Sequence, residues 1–148
     1  MRFGYSSGGD FMLTSENKIV VHYLGGKLTK GYTFDFNQNR ETFHVVASQD
    51  QIEEATIVNH DDLKALFFVK TLEGNPGYED PVFSEEDIKE LVGMKLKVHF
   101  KDGEVMYATT FGYSPARKGF FVFPIDKHCN NEKVYVVTSS TTSIEIIR

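Results

Sequence analysis

One cysteine, Cys129, is all the chain contains, so neither an internal disulfide nor a cysteine cluster for zinc can form. That agrees with a reducing compartment. No apolar run approaches the roughly 20 residues of a membrane-spanning helix, and the opening MRFGYSSGGDF lacks the hydrophobic stretch of a signal peptide. The expected address is therefore the cytoplasm, with no membrane partner. Basic residues are too few and too scattered to form a run: 16 Lys and Arg stand against 21 Asp and Glu, a formal net charge of -5. This balance weighs against nucleic acid as a partner. G-x-S-x-G, the P-loop and G-x-G-x-x-G are absent too, so no cofactor is expected and an enzyme is the least favoured class.

What the chain does have is a repeat. KIVVHYLGGKLTKGYTFDFNQNRETFHVV, Lys18 to Val46, lies over KLKVHFKDGEVMYATTFGYSPARKGFFVF, Lys95 to Phe123, without a gap and with nine identities in twenty-nine positions. Among the identities are His22/His99, Gly26/Gly103, Arg40/Arg117 and Phe43/Phe120. Assuming a loop two residues longer in the second copy, EATIVNHDDLKALFF from Glu54 aligns with KVYVVTSSTTSIEII from Lys133. Each copy alternates apolar and polar residues in the manner of half-buried strands, and Gly25-Gly26 or Asp102-Gly103 supplies the tight turn of a hairpin. A polar turn carrying the arginine leads to a third strand, and two further runs follow, separated by the short spacers NHDDL and SSTTS that suit a 3₁₀ turn.

The expected fold is mainly β: two tandem five-stranded barrels of the small Sm-like or SH3-type kind, arising by internal duplication. The first spans residues 16–70, a Gly- and Pro-punctuated linker 71–82, and a helix plus the second barrel 83–148. The linker helix, Glu85 to Val92, is predicted from Ser84 as N-cap, Asp87 at the capping-box position, Phe83 as a staple onto Ile88, and Gly93 as the stop. FMLTSEN, before the first copy, is too short and too weakly periodic for an equivalent helix.

Five strands with a 3₁₀ turn before the last, together with the glycine and apolar spacing of VHYLGGKLTKG, resemble the Sm-like class of small barrels. That resemblance implies RNA binding through an Asp and an Asn after the second strand. Asp35 and Asn39 stand near those places in the first copy, where the second has Gly112 and Ala116. LKALFFVKTLEGNPGY, Leu63 to Tyr78, is similar to an uncharacterised bacterial family whose members sometimes stand beside PilZ or signalling-receiver domains. The similarity implies a non-catalytic signalling or adaptor role and assigns no residue a task.

Candidate chemistry is sparse. His22 and His99 recur, but Lys97 and Lys101 flank His99 on its strand face, which reads as solvated. His128 and Cys129 are adjacent, unlike zinc ligands, and the acidic groups at Glu53-Glu54, Asp61-Asp62 and Glu85-Glu86-Asp87 read as loop and helix-start charge, so no metal is expected. The repeated arginines carry two readings. Their guanidiniums brace the turns, which is the expectation, or they present paired forks to a carboxylate or phosphate on a partner. In the second reading Arg40, Arg117, Asn37, Gln38, Asn39, Ser114 and Lys118 share a binding surface. Val20, His22 and Leu24 form an apolar outward face where the second copy has Lys97, His99 and Lys101, and its cover is the second copy, the N-terminal segment or another chain, including a homo-oligomer. A protein-interaction or regulatory module is the leading functional class, with an Sm-like RNA binder and a small-ligand sensor between the barrels as alternatives.

Overall fold

The computed structural model describes residues 17–48, 54–79 and 81–148. The segment MRFGYSSGGDF, the adjoining residues through Glu16, and Glu53 lie outside them. Ten strands account for most of the described chain: β1 (Asn17–Tyr23), β2 (Leu28–Thr33), β3 (Thr42–Val45), β4 (Thr56–Asn59), β5 (Leu63–Val69), β6 (Met94–Phe100), β7 (Val105–Thr110), β8 (Gly119–Pro124), β9 (Asn131–Val137) and β10 (Thr141–Ile147). The one α-helix among the described residues, α1, covers Glu85–Lys89, and 3₁₀ turns occupy His60–Asp62 and Thr138–Ser140. No helix among the described residues is long and apolar enough to cross a membrane.

The strands are all antiparallel, but among the described residues they close no barrel. Eight form one sheet in the order β10-β6-β7-β8-β9-β5-β1-β2, and β3 pairs with β4 in a second. A single bridge, Tyr32 to Val46, ties β2 to the end of β3. Two separate barrels were the expectation, and the departure has a visible cause: β5 and β9 pair with each other, Ala65 opposite Val136 and Phe67 opposite Val134. Hydrogen bonds that would close each half on itself join the halves together.

This pairing explains why LKALFFV has no polar alternation. All seven residues of β5 are buried. Ala65, Phe67 and Val69 face a core shared with Leu96, Val98 and Phe120, whereas Leu66 and Phe68 face another containing Ile19, Val21 and Phe43. In β9 the same division sends Val134 and Val136 to the first core and Tyr135 and Val137 to the second. A strand covered on both faces reads as a continuous apolar run. Val20 also packs on the first core, and His22 stacks on Phe67 with ring centroids 4.1 Å apart. The second half thus covers much of the face that needed a cover, and Leu24 remains exposed.

The ladders also correct the alignment of the last strands. His22 lies opposite Ala65 and His99 opposite Ser143, while Val21 faces Leu66 and Val98 faces Ile144. The loop before the fourth strand is accordingly one residue longer in the second half, not two. A slip of one residue exchanges the faces of a strand, and the two-residue count would have set Leu66 level with Glu145 rather than Ile144.

The glycine turns form as expected, with Gly25, Gly26 and Gly103 at φ of 95, 100 and 96°. The capping box of α1 is complete: Ser84 Oγ accepts from the Asp87 amide at 3.1 Å, and Asp87 Oδ2 from the Ser84 amide at 3.3 Å. Ile88 is fully buried, but the helix stops at Lys89 rather than Val92. Its last turn tightens, Leu91 N–H donating to the Ile88 carbonyl at 3.1 Å, before Gly93 at φ 98° redirects the chain.

Candidate anion-binding groove

Two turns of equivalent design stand beside β9. In the first, the Arg40 amide donates to the Asn37 carbonyl at 3.1 Å and Asn37 Oδ1 accepts from the Asn39 amide at 2.8 Å. In the second, the Arg117 amide donates to the Ser114 carbonyl, again at 3.1 Å. Each is anchored to a 3₁₀ turn. The His60 amide donates to the Glu41 carbonyl at 2.9 Å, and Thr138 donates its amide to the Lys118 carbonyl and its hydroxyl to the Arg117 carbonyl, both at 2.8 Å. Asn37 and Ser114 therefore serve through their carbonyls, which close the turns.

Between the turns lies a groove of two adjoining chambers. The first, of about 310 Å³, is lined by Arg40, Arg117, Lys118, Asn39, Gln38 and Glu41, with Tyr135 and Gly119 below. Of the sequence candidates, Gln38, Asn39, Arg40, Arg117 and Lys118 meet there, and Asn37 and Ser114 do not line it. The second chamber, of about 350 Å³, shares Arg117, Lys118 and Tyr135 and adds His60, Asp61, Ala116 and Val137 among its walls.

The guanidiniums do not brace the turns. Arg40, Arg117 and Lys118 are exposed, and none of their charged heads donates a hydrogen bond, joins an ion pair or stacks on a ring among the described residues. Three cations from the two halves thus face one groove, with the carboxylates of Glu41 and Asp61 at its margins. Arg117 acts on Tyr135 through its charge, opposing the upward push that burial gives the phenol. The hydroxyl stays protonated and can donate.

Sequence reasoning missed Tyr135 and His60. Tyr135 sat unremarked inside KVYVV, and His60 inside a polar spacer read as a 3₁₀ turn. Tyr135 is 1% exposed, and a Cβ on Gly119 would collide with its ring and hydroxyl and stand 2.7 Å from the Val136 carbonyl oxygen. The lack of a side chain at Gly119 is what lets Tyr135 lie beneath the turn. His60 is 5% exposed and packs among aromatics, with centroids 5.5 Å from Phe36, 5.7 Å from Phe43 and 5.9 Å from Tyr135. Burial, then the nearby Lys118 ammonium, hold its pKa below the ordinary histidine value, while Asp61 pulls the other way. Its Nε2 is buried without a hydrogen-bond partner.

The remaining candidates lie elsewhere and apart. His22 is held below the ordinary histidine pKa by burial and then by Lys64, against Glu104 and Asp102. His99 Nε2 pairs with Glu145 at 2.5 Å. Cys129 is buried with its Sγ 3.4 Å from the Asn131 carbonyl, and no group of three metal-binding side chains occurs among the described residues. Lys64 joins the halves: its ammonium meets Asp102 at 2.7 Å and also Glu104, 4.6 Å from the centroid of the Phe100 ring. Burial works against the Lys64 charge, but the hydrogen bonds it donates to both carboxylates outweigh that and raise the pKa.

Comparison with known proteins adds one match. A family model described as a family of unknown function, DUF6982, covers residues 15–148. No curated protein and no solved structure matches the chain.

Proposed function

The chain belongs to that family, which carries no assigned activity, and from its geometry we propose a non-catalytic interaction module that takes an anionic group of a partner, a carboxylate or a phosphate, into the groove. One observation carries this reading. Arg40, Arg117 and Lys118 converge on the same space, and their charged heads pair with no carboxylate among the described residues. Charge-assisted hydrogen bonds contribute about 1.5–3 kcal/mol each, and a planar guanidinium fork matches both anions. On a chain of net charge -5, such a cluster directs an anion to one place. The non-catalytic reading is supported by His60, whose Nε2 contacts no hydroxyl it could activate.

We further propose that the two halves descend from one five-stranded unit, each following the path of an SH3-type barrel left open. The order β5-β1-β2-β3-β4 has its counterpart in β10-β6-β7-β8-β9, and the Tyr32–Val46 bridge corresponds to the Thr109–Phe123 pair. Duplication accounts for two arginine turns facing one groove.

Amide chemical-shift titration of the full chain with inorganic phosphate and with acetate tests the binding reading. The expected shifts center on Asn39, Arg40, Arg117 and Lys118 and vanish in the Arg40→Ala, Arg117→Ala double variant. Shifts elsewhere that survive the double variant would overturn it. A single-stranded RNA pool in the same assay is expected to bind weakly, and submicromolar binding lost in the double variant would move the assignment to nucleic acid.

A further inference from the structure

The groove has a floor as well as charged walls, and the floor carries unsatisfied polar groups. Tyr135 lines the groove, and its hydroxyl makes no hydrogen bond among the described residues. His60, on the second chamber, has its Nε2 buried and unpaired, which costs about 1–3 kcal/mol because buried polar groups are nearly always bonded. Donors left without partners along one groove point to polar atoms that arrive with a ligand.

Building on the anion-binding reading, we propose that the ligand is a phosphate monoester, its phosphate held by Arg40, Arg117, Lys118 and the Tyr135 hydroxyl, and its organic body seated in the second chamber beside His60. The donor count separates phosphate from carboxylate. Three cationic side chains face the groove, with Glu41 and Asp61 offsetting part of their charge at its margins, and the three acceptor oxygens of a phosphate monoester can engage all of them where a carboxylate has two. Tyr135, kept protonated by burial, supplies a fourth donor from below. The second chamber decides for an ester over free phosphate. Its volume of about 350 Å³ exceeds the needs of a water or two, and Ala116, Val137 and the His60 ring give it apolar walls. A phosphorylated protein side chain and a small free organic phosphate present the same chemistry.

Calorimetric titration of the full chain with inorganic phosphate, phenyl phosphate, benzoate and a phosphoserine peptide tests this. Phenyl phosphate is expected to bind at least about tenfold more tightly than inorganic phosphate or benzoate. Tyr135→Phe should weaken both phosphates, and His60→Phe should weaken phenyl phosphate while leaving inorganic phosphate unchanged. A peptide that outperforms phenyl phosphate would support the proposal with a protein as the source, and the reverse order would support it with a free metabolite-sized phosphate. If phenyl phosphate is no tighter than inorganic phosphate while Arg117→Ala still abolishes both, the ester proposal fails and the anion-binding reading stands. If none of the four probes binds, both fail. Circular dichroism checks the fold of each variant, and the ranking of probes on the unaltered chain decides the question even if Tyr135→Phe does not fold.

Discussion

Arg40 and Arg117 look alike in sequence and are used alike in the structure, yet not in the manner that turn chemistry suggests. A guanidinium inside a tight bend is expected to donate to turn carbonyls, and its loss would then cost about 1–3 kcal/mol. In the structure the backbone amides close both turns, and the charged heads bond to nothing among the described residues. Arg40→Ala and Arg117→Ala should therefore each leave the urea midpoint within about 0.5 kcal/mol of the unaltered chain. A larger loss in either would return that arginine to a structural role. Histidine is where stability should respond to pH. His22 and His60 both have folded pKa values below their ordinary 6.5, chiefly through burial. The unfolded chain then binds more protons, so stability is complete above the unfolded value and falls as pH drops through 6.5 towards the folded values. Urea midpoints measured from about pH 7.5 to pH 5 should decline, and His60→Phe should flatten part of that decline. A flat profile in the unaltered chain would remove both histidines from the account.

Among elements, β5 and β9 differ from the rest because they divide their side chains between two cores. Phe67 is 8% exposed, faces one core and stacks on His22, so Phe67→Ala should cost about 3–5 kcal/mol. Among the described residues the edge strand β10 has one neighbour, β6, and Ile146 on it is 40% exposed. Ile146→Ala should cost under half as much as Phe67→Ala, since less apolar surface leaves a packed environment. Chemical denaturation of the two variants compares them directly, and equal losses would contradict the two-faced burial of β5.

At the scale of the whole molecule, the β5–β9 ladder and the Lys64 contacts with Asp102 and Glu104 make each half part of the other's packing. Separated halves would expose Tyr135 and Val137 on one side and Ala65, Phe67 and Val69 on the other. We expect one cooperative urea transition for the chain, and no cooperative transition for residues 17–79 or 84–148 expressed alone. Two resolved transitions, or a folded half, would show that the shared strands add little to stability.

The sequence by itself determined the local structure. Alternation placed the strands, Gly25-Gly26 and Gly103 reversed the hairpins, Ser84 and Asp87 began the helix, and the repeat announced that two arginine turns would be equivalent, because each property depends on residues a few positions apart. Which strand edges would meet was decided only by tertiary structure. A backbone edge satisfies its hydrogen bonds with any strand in register, so nothing local distinguishes closing a barrel from joining β5 to β9. The one-residue loop difference was likewise invisible until the ladders fixed the faces of β4, β5, β9 and β10. The groove depended on the same choice. Pairing across the halves brings the Arg40 turn beside the Arg117 turn and lays Tyr135 beneath them, and no short-range pattern links residues so far apart along the chain.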